Sequence, residues 1–95
     1  MAVLEIETFS LVSGVTASDF RALDELMQEW CYVNRSGLAR RTTARNSDGT
    51  YVVITLFNNE SDADATYYKN SDPTVMQWSA VINESSRNHA AYSLL

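Results

Sequence analysis

Glu5 and Glu7 stand two residues apart in a stretch of apolar and β-branched neighbours, Ala2 to Val12. On an extended chain that spacing sends both carboxylates to one face. A carboxylate held away from water there has a raised pKa and can act as a general base toward a weakly acidic proton. The same two residues could instead lie at a wet rim, or pair across strands with Arg40 or Arg41. His89 is the only histidine and could shuttle protons near neutral pH, or could be a satisfied strand residue. Its neighbours Asn88 and Ala90 give no ligand spacing, so no metal site is expected. Tyr67, Tyr68 and Trp78 flank Pro73, and Trp30 stands on an earlier helical segment. These four rings could line a cavity for a flat apolar ligand, or simply form core. Arg35, Arg40, Arg41 and Arg45 concentrate basic charge that could hold a substrate carboxylate, or form a solvated face. Cys31 is the only cysteine, so no intrachain disulfide can form; it reads as a small buried hydrophobe. There is no GxSxG, no Gly-rich phosphate loop and no His/Asp/Cys cluster, which leaves hydrolase, nucleotide and zinc chemistry without support.

Tyr51 to Phe57 is the element that must position these groups. It is the most β-prone run in the chain, without charge, Gly or Pro, and Asp48-Gly49 before it signals a hairpin turn. Its partner is the Arg/Thr-rich strand Leu38–Arg45. Residues 2–12 read as the first strand. Thr16 caps a helix running to about Val33, with Asp19 completing a capping box. The helix carries Phe20, Leu23, Met27 and Trp30 at helical spacing, with Leu26 and Cys31 flanking the stripe. Ser61, with Asp64 at the capping-box position, opens a second helix. Pro73 breaks it at Asp72 and starts a fresh helix to about Asn83. Arg87 to Leu94 is the last strand. The order βαββαβ specifies a ferredoxin-like α+β fold, a four-stranded antiparallel sheet with helices on one face. The other face would show either Val52, Ile54 and Leu56 or Val53, Thr55 and Phe57. Both sets are too apolar for water, so a homodimer through that open sheet face is expected.

The 95 residues are 45% hydrophobic, which bounds the chain to one globular domain, residues 1–95. A formal charge of −5 argues against a nucleic acid or an anionic membrane as partner. No apolar run is long enough to span a bilayer, and the N-terminus does not read as a signal peptide, so a cytoplasmic location is expected.

The chain resembles the dimeric α+β barrel superfamily, in particular small antibiotic-biosynthesis-monooxygenase-like proteins. The resemblance rests on the opening strand with Val12-Ser13-Gly14 and a capped helix, and on Gly37-Leu38 leading into the Arg/Thr strand. It also rests on the stretch Phe57 to Ala65 and on Lys69-Asn70-Ser71-Asp72-Pro73 at the broken helix. It implies that the face bearing Glu5 and Glu7 looks toward the helices. It also implies a cofactor-independent monooxygenase-like or isomerase/cyclase-like enzyme for a small aromatic or polyketide-type molecule. Proton removal from a phenol or enol is the step these activities share. Glu7, Tyr68 and His89 would then be catalytic, with Trp30, Arg41, Tyr67 and Trp78 in the substrate pocket. The alternative is a non-catalytic dimeric module that binds a small ligand or serves assembly. Haem-degrading relatives carry an Asn, a Trp and a His ligand where this chain has Glu7, Tyr68 and Trp78, so a haem cofactor is not expected.

Overall fold

The computed structural model describes all of Met1–Leu95. Its elements are β1 (Val3–Phe9), α1 (Ala17–Asn34), β2 (Leu38–Arg45), β3 (Tyr51–Phe57), α2 (Pro73–Ala80) and β4 (Asn88–Ser93), with single 3-10 turns at Glu60–Asp62, Tyr67–Lys69 and Glu84–Ser86. The strands form one antiparallel sheet in the order β2-β3-β1-β4, with β1 and β3 central. The ferredoxin-like reading of the sequence is therefore correct.

Local signals account for most boundaries. The Thr16 hydroxyl accepts from the Asp19 N–H, and the Asp19 carboxylate accepts from the Thr16 N–H, which closes the capping box of α1. In the β2–β3 hairpin, Asn46 Oδ1 accepts from the N–H groups of both Asp48 and Thr50. Asp72 caps α2 through the Thr74 N–H, with Pro73 at the first helical position. Gly37 leaves α1 at φ +73°, and a Cβ there would collide with the Asp62 carboxylate. Gly37→Ala is expected to lower stability by about 1–3 kcal/mol, read from urea unfolding. A loss of only a few tenths would mean that the turn re-forms without strain.

The helix expected from Ser61 does not exist. Asp64 bonds the N–H and hydroxyl of Thr66 instead of capping a helix, and those bonds hold its carboxyl below the ordinary value. The Asp64 carbonyl also accepts from Arg35 Nη2 at 3.2 Å. Residues 63–66 are thus non-helical, and Tyr67 is delivered to the sheet from a 3-10 turn. β1 is shorter than expected because Leu11 makes only a lone bridge to Ile82. α2 stops at Ala80, and a 3-10 turn precedes a shortened β4.

On β1 and β3, burial alternates strictly. Val3, Glu5, Glu7, Phe9, Tyr51, Val53, Thr55 and Phe57 face the helices and are buried. Val52, Ile54 and Leu56 are the outward set. The core on the helix side is aromatic: Phe9 stacks on Tyr51 at 6.0 Å and meets Trp78 edge-on at 5.8 Å, and Phe20 lies 4.8 Å from Tyr51. Cys31 is fully buried beside this cluster, and burial pushes its thiol up to about 11, so it stays an inert thiol. No helix is long and apolar enough to cross a membrane.

Candidate functional site

The helix-facing layer of β1 carries two carboxylates that are 1% and 2% exposed, Glu5 and Glu7. Their surroundings differ. Glu5 is held bidentately by Arg35, with Nη1 to Oε1 at 3.0 Å and Nη2 to Oε2 at 3.1 Å. The Arg35 guanidinium lies between the rings of Phe57 and Tyr67, 4.5 and 3.9 Å from their centroids. Neither Arg40 nor Arg41 is the ion-pair partner of these glutamates. Arg35 reaches Glu5 from the turn after α1.

Glu7 has no bonded cation. The Tyr67 hydroxyl donates to both of its oxygens, at 2.8 and 3.1 Å. Burial is the main influence on this carboxyl and raises its pKa above 4.5, against the Tyr67 bond and the nearby charge of Arg87, which lower it. Burial and the facing carboxylate raise Tyr67 well above 10, so it remains a neutral donor.

His89 lies directly across from Glu7 in the β1–β4 register. Its Nε2 approaches Glu5 Oε2 at 3.1 Å, off the line of a hydrogen bond. Arg87 stacks on Tyr68 at 3.9 Å and lies 5.5 Å from Trp78. Its nearest carboxylate oxygen, on Glu84, is 3.5 Å away, and its guanidinium nitrogens make no hydrogen bond.

A second buried polar group stands apart. Asp24 accepts from Arg41 Nη2 at 2.7 Å, Arg41 Nη1 at 3.4 Å and Trp78 Nε1 at 2.9 Å. Gln28 takes Arg41 Nη1 at 3.2 Å, and the Arg41 backbone N–H donates to the Tyr32 hydroxyl at 3.0 Å.

The structure thus groups Glu7, Tyr67 and His89 with Glu5, Arg35 and Arg87. It separates Arg41 from them, while Trp30 meets the group only as a wall of a cleft shared with Arg35 and Tyr67. Three of the surface clefts bear on these residues. One of about 750 Å³ lies between α1 and β2 and includes Arg41. One of about 390 Å³ includes Tyr68 and Met76. One of about 260 Å³ includes Trp30, Arg35 and Tyr67. Trp78 lines none of them; it is fully buried, its indole N–H engaged by Asp24. The hydroxyl at Glu7 belongs to Tyr67, and Tyr68 serves as the wall behind Arg87. Sequence reasoning missed Asp24 and Arg87. Asp24 had a signal: with Phe20, Met27 and Cys31 it completes a helical stripe in which it is the single charge. Arg87 had none.

No three His, Cys, Asp or Glu side chains are grouped to hold a metal ion. A haem does not fit the residues present: Trp78 is sealed in the core, and the single imidazole sits against Glu5.

No protein-family model matches the sequence, and no curated protein matches it either. Solved structures do match its fold. SnoaB, a cofactor-independent oxygenase from Streptomyces nogalater, superposes with a TM-score of 0.70 at 15% identity, over 99% of this chain and 93% of that one. A Caulobacter crescentus protein described as a candidate antibiotic biosynthesis monooxygenase gives a TM-score of 0.75 at 11% identity, over 99% and 90%. A dimeric Bacteroides fragilis protein of unknown function and ferredoxin-like fold gives 0.61 at 16% identity, over 98% and 96%. At these identities the likeness is one of fold.

Proposed function

We propose that this chain is a cofactor-independent oxygenase-type enzyme acting on a small aromatic or polyketide-type molecule with an acidic phenolic or enolic proton. The observation that carries the reading is Glu7, a fully buried carboxylate with a raised pKa and a single tyrosine hydroxyl as partner. An ion pair would neutralise it, as Arg35 neutralises Glu5. Glu7 has none and remains free to take a proton. The irregular segment carrying Tyr67 and Tyr68 covers it, and displacement of that segment admits substrate. Glu7 removes the proton. The resulting carbanion or enolate reduces O2, and a hydroperoxide forms on the same carbon when a proton returns, a role we assign to His89. Loss of water then leaves a carbonyl, so that a CH2 group and O2 become C=O and H2O. Tyr68 supplies an aromatic wall, and Trp78, fully buried, backs the Tyr67 ring at 6.2 Å from within the core.

The test is oxygen uptake in air, without flavin or added metal, across a panel of hydroxylated polycyclic aromatic ketones. Uptake matched one to one by carbonyl product supports the reading, and silence across the panel overturns it. The packed interior around Trp78 favours one other reading, a non-catalytic dimeric ligand-binding or assembly module.

The proposed enzyme is a homodimer through the open sheet face. Leu4, Ile6, Val52, Ile54, Leu56 and Tyr92 share that face, and Ile54 and Tyr92 are 36% and 58% exposed. The Bacteroides fragilis neighbour is described as dimeric. Ile54→Asp is expected to give a folded monomer by light scattering at micromolar concentration, where the wild type gives a dimer. A wild-type monomer there would remove the proposal.

A further inference from the structure

We infer that Arg87 is the oxyanion-binding group of the Glu7 site, holding the substrate oxygen on which negative charge collects. The inference rests on Glu7 acting as a base, and it restricts the substrate to one whose acidic proton is conjugated with a carbonyl or phenolic oxygen.

The Arg87 side chain is 5% exposed, and none of its three guanidinium nitrogens has a hydrogen-bond partner. Buried polar groups normally find one, and a buried cation without an acceptor is costly. Tyr68 lies over the guanidinium at 3.9 Å. A guanidinium donates in its own plane, so a ring over its face satisfies none of its N–H groups. Glu84, the carboxylate that approaches it, has a side chain 65% exposed and bonds none of them. The other two buried guanidiniums are occupied, Arg35 by Glu5 and Arg41 by Asp24. The donors of Arg87 alone stand without an acceptor.

Their placement fits the chemistry at Glu7. Arg87 stands two residues before His89, and its extended backbone, φ −74° and ψ 126°, turns both side chains to the helix side of the sheet. His89 lies across from Glu7, and of the charges around Glu7 that of Arg87 acts on it most strongly. When Glu7 takes the proton it becomes neutral. The electron pair left behind delocalises onto the conjugated oxygen, which becomes the anion. Arg87 then gains the acceptor it lacks, and no net charge enters the interior.

Access runs through Tyr68. Its ring is half-buried, and besides covering Arg87 it lines the cleft of about 390 Å³. The backbone hydrogen bonds donated by Tyr67, Lys69 and Asn70 all close within their own turn, and Thr66, Lys69, Asn70 and Ser71 are exposed. A swing of the Tyr68 side chain joins that cleft to the guanidinium without moving a strand or a helix.

The test is isothermal titration of the full chain with hydroxynaphthoquinone, an enol that is ionised at neutral pH, and with its neutral ether methoxynaphthoquinone. The wild type is expected to favour the anion at least about tenfold, the discrimination that one charge-assisted contact supplies. Arg87→Met should erase that preference, and Arg87→Lys, which keeps the charge, should retain part of it. Arg87→Met should also melt no lower than the wild type, because it breaks no hydrogen bond and removes a buried charge. Glu7→Gln should bind the anion more tightly than the wild type at pH 8, because a like charge beside it is gone. No preference for the anion in the wild type overturns the inference. So does a preference that survives Arg87→Met, a lower melting point in that variant, or an unchanged anion affinity in Glu7→Gln. Oxygen uptake that depends on Glu7, without any preference for the anion, would remove Arg87 and leave the base. A preference that depends on Arg87, without oxygen uptake on any substrate, would keep the anion site and remove the oxygenase.

Discussion

Asp24→Ala is expected to destabilise the fold by about 3–5 kcal/mol, the cost of stripping one partner from a buried ion pair. Asp24 is the sole carboxylate of Arg41, which is 3% exposed, and the sole acceptor of the Trp78 indole N–H. Without it, a guanidinium keeps only Gln28, and a core N–H keeps nothing. A domain of this size holds only about 5–15 kcal/mol in all, and each kcal/mol moves its melting point by about 4–8 °C. Thermal melts followed by circular dichroism read the effect directly. The double variant Asp24→Leu with Arg41→Met should recover most of the loss, because an apolar pair leaves no charge stranded. A loss below about 1 kcal/mol for Asp24→Ala would mean that water already screens the pair.

Glu7→Gln is expected to reduce turnover roughly 10²–10⁴-fold while making the folded chain more stable above neutral pH. The two effects have one origin. Burial raises the Glu7 carboxyl above its ordinary 4.5, so between 4.5 and the raised value the folded chain keeps a proton that the unfolded chain has released. The stability this group contributes is full below pH 4.5 and is lost as pH rises through the folded value. Glutamine keeps the shape and can still accept from Tyr67, yet it never ionises. The variant should therefore resist urea better than wild type at pH 8, and the difference should close on acidification. Turnover of the wild type should rise with pH across the same interval, because only the carboxylate is a base. Full activity in Glu7→Gln would sink the catalytic role. An unchanged urea midpoint at pH 8 would mean that the carboxylate is solvated. A gain in stability with no loss of any measurable function would favour the non-catalytic module.

The architecture was legible because each element carries a local cause. Tyr51 to Phe57 can only be a buried strand, Asn46 to Gly49 only a turn, and the Thr16–Asp19 box and the Asp72-Pro73 cap start helices by themselves. Spacing likewise placed Glu5 and Glu7 on one face. Residues 61–69 were misread because Asp64 has a local alternative to helix, and Arg35, distant in sequence, takes the Asp64 carbonyl. The partners in the site obey the same division. Glu5 meets Arg35 thirty residues on, and Glu7 meets Tyr67 sixty residues on. Tyr67 and Tyr68 are adjacent and alike in the sequence, and only the path of the 3-10 turn decides which hydroxyl reaches the carboxylate. Period and propensity act within a few residues, and so the chain by itself determined its strands, its caps and the shared face of the two glutamates. Ion pairing and burial are properties of groups brought together from afar, and so only the tertiary structure decided that Glu5 is neutralised, that Glu7 is not, and that Trp78 belongs to Asp24.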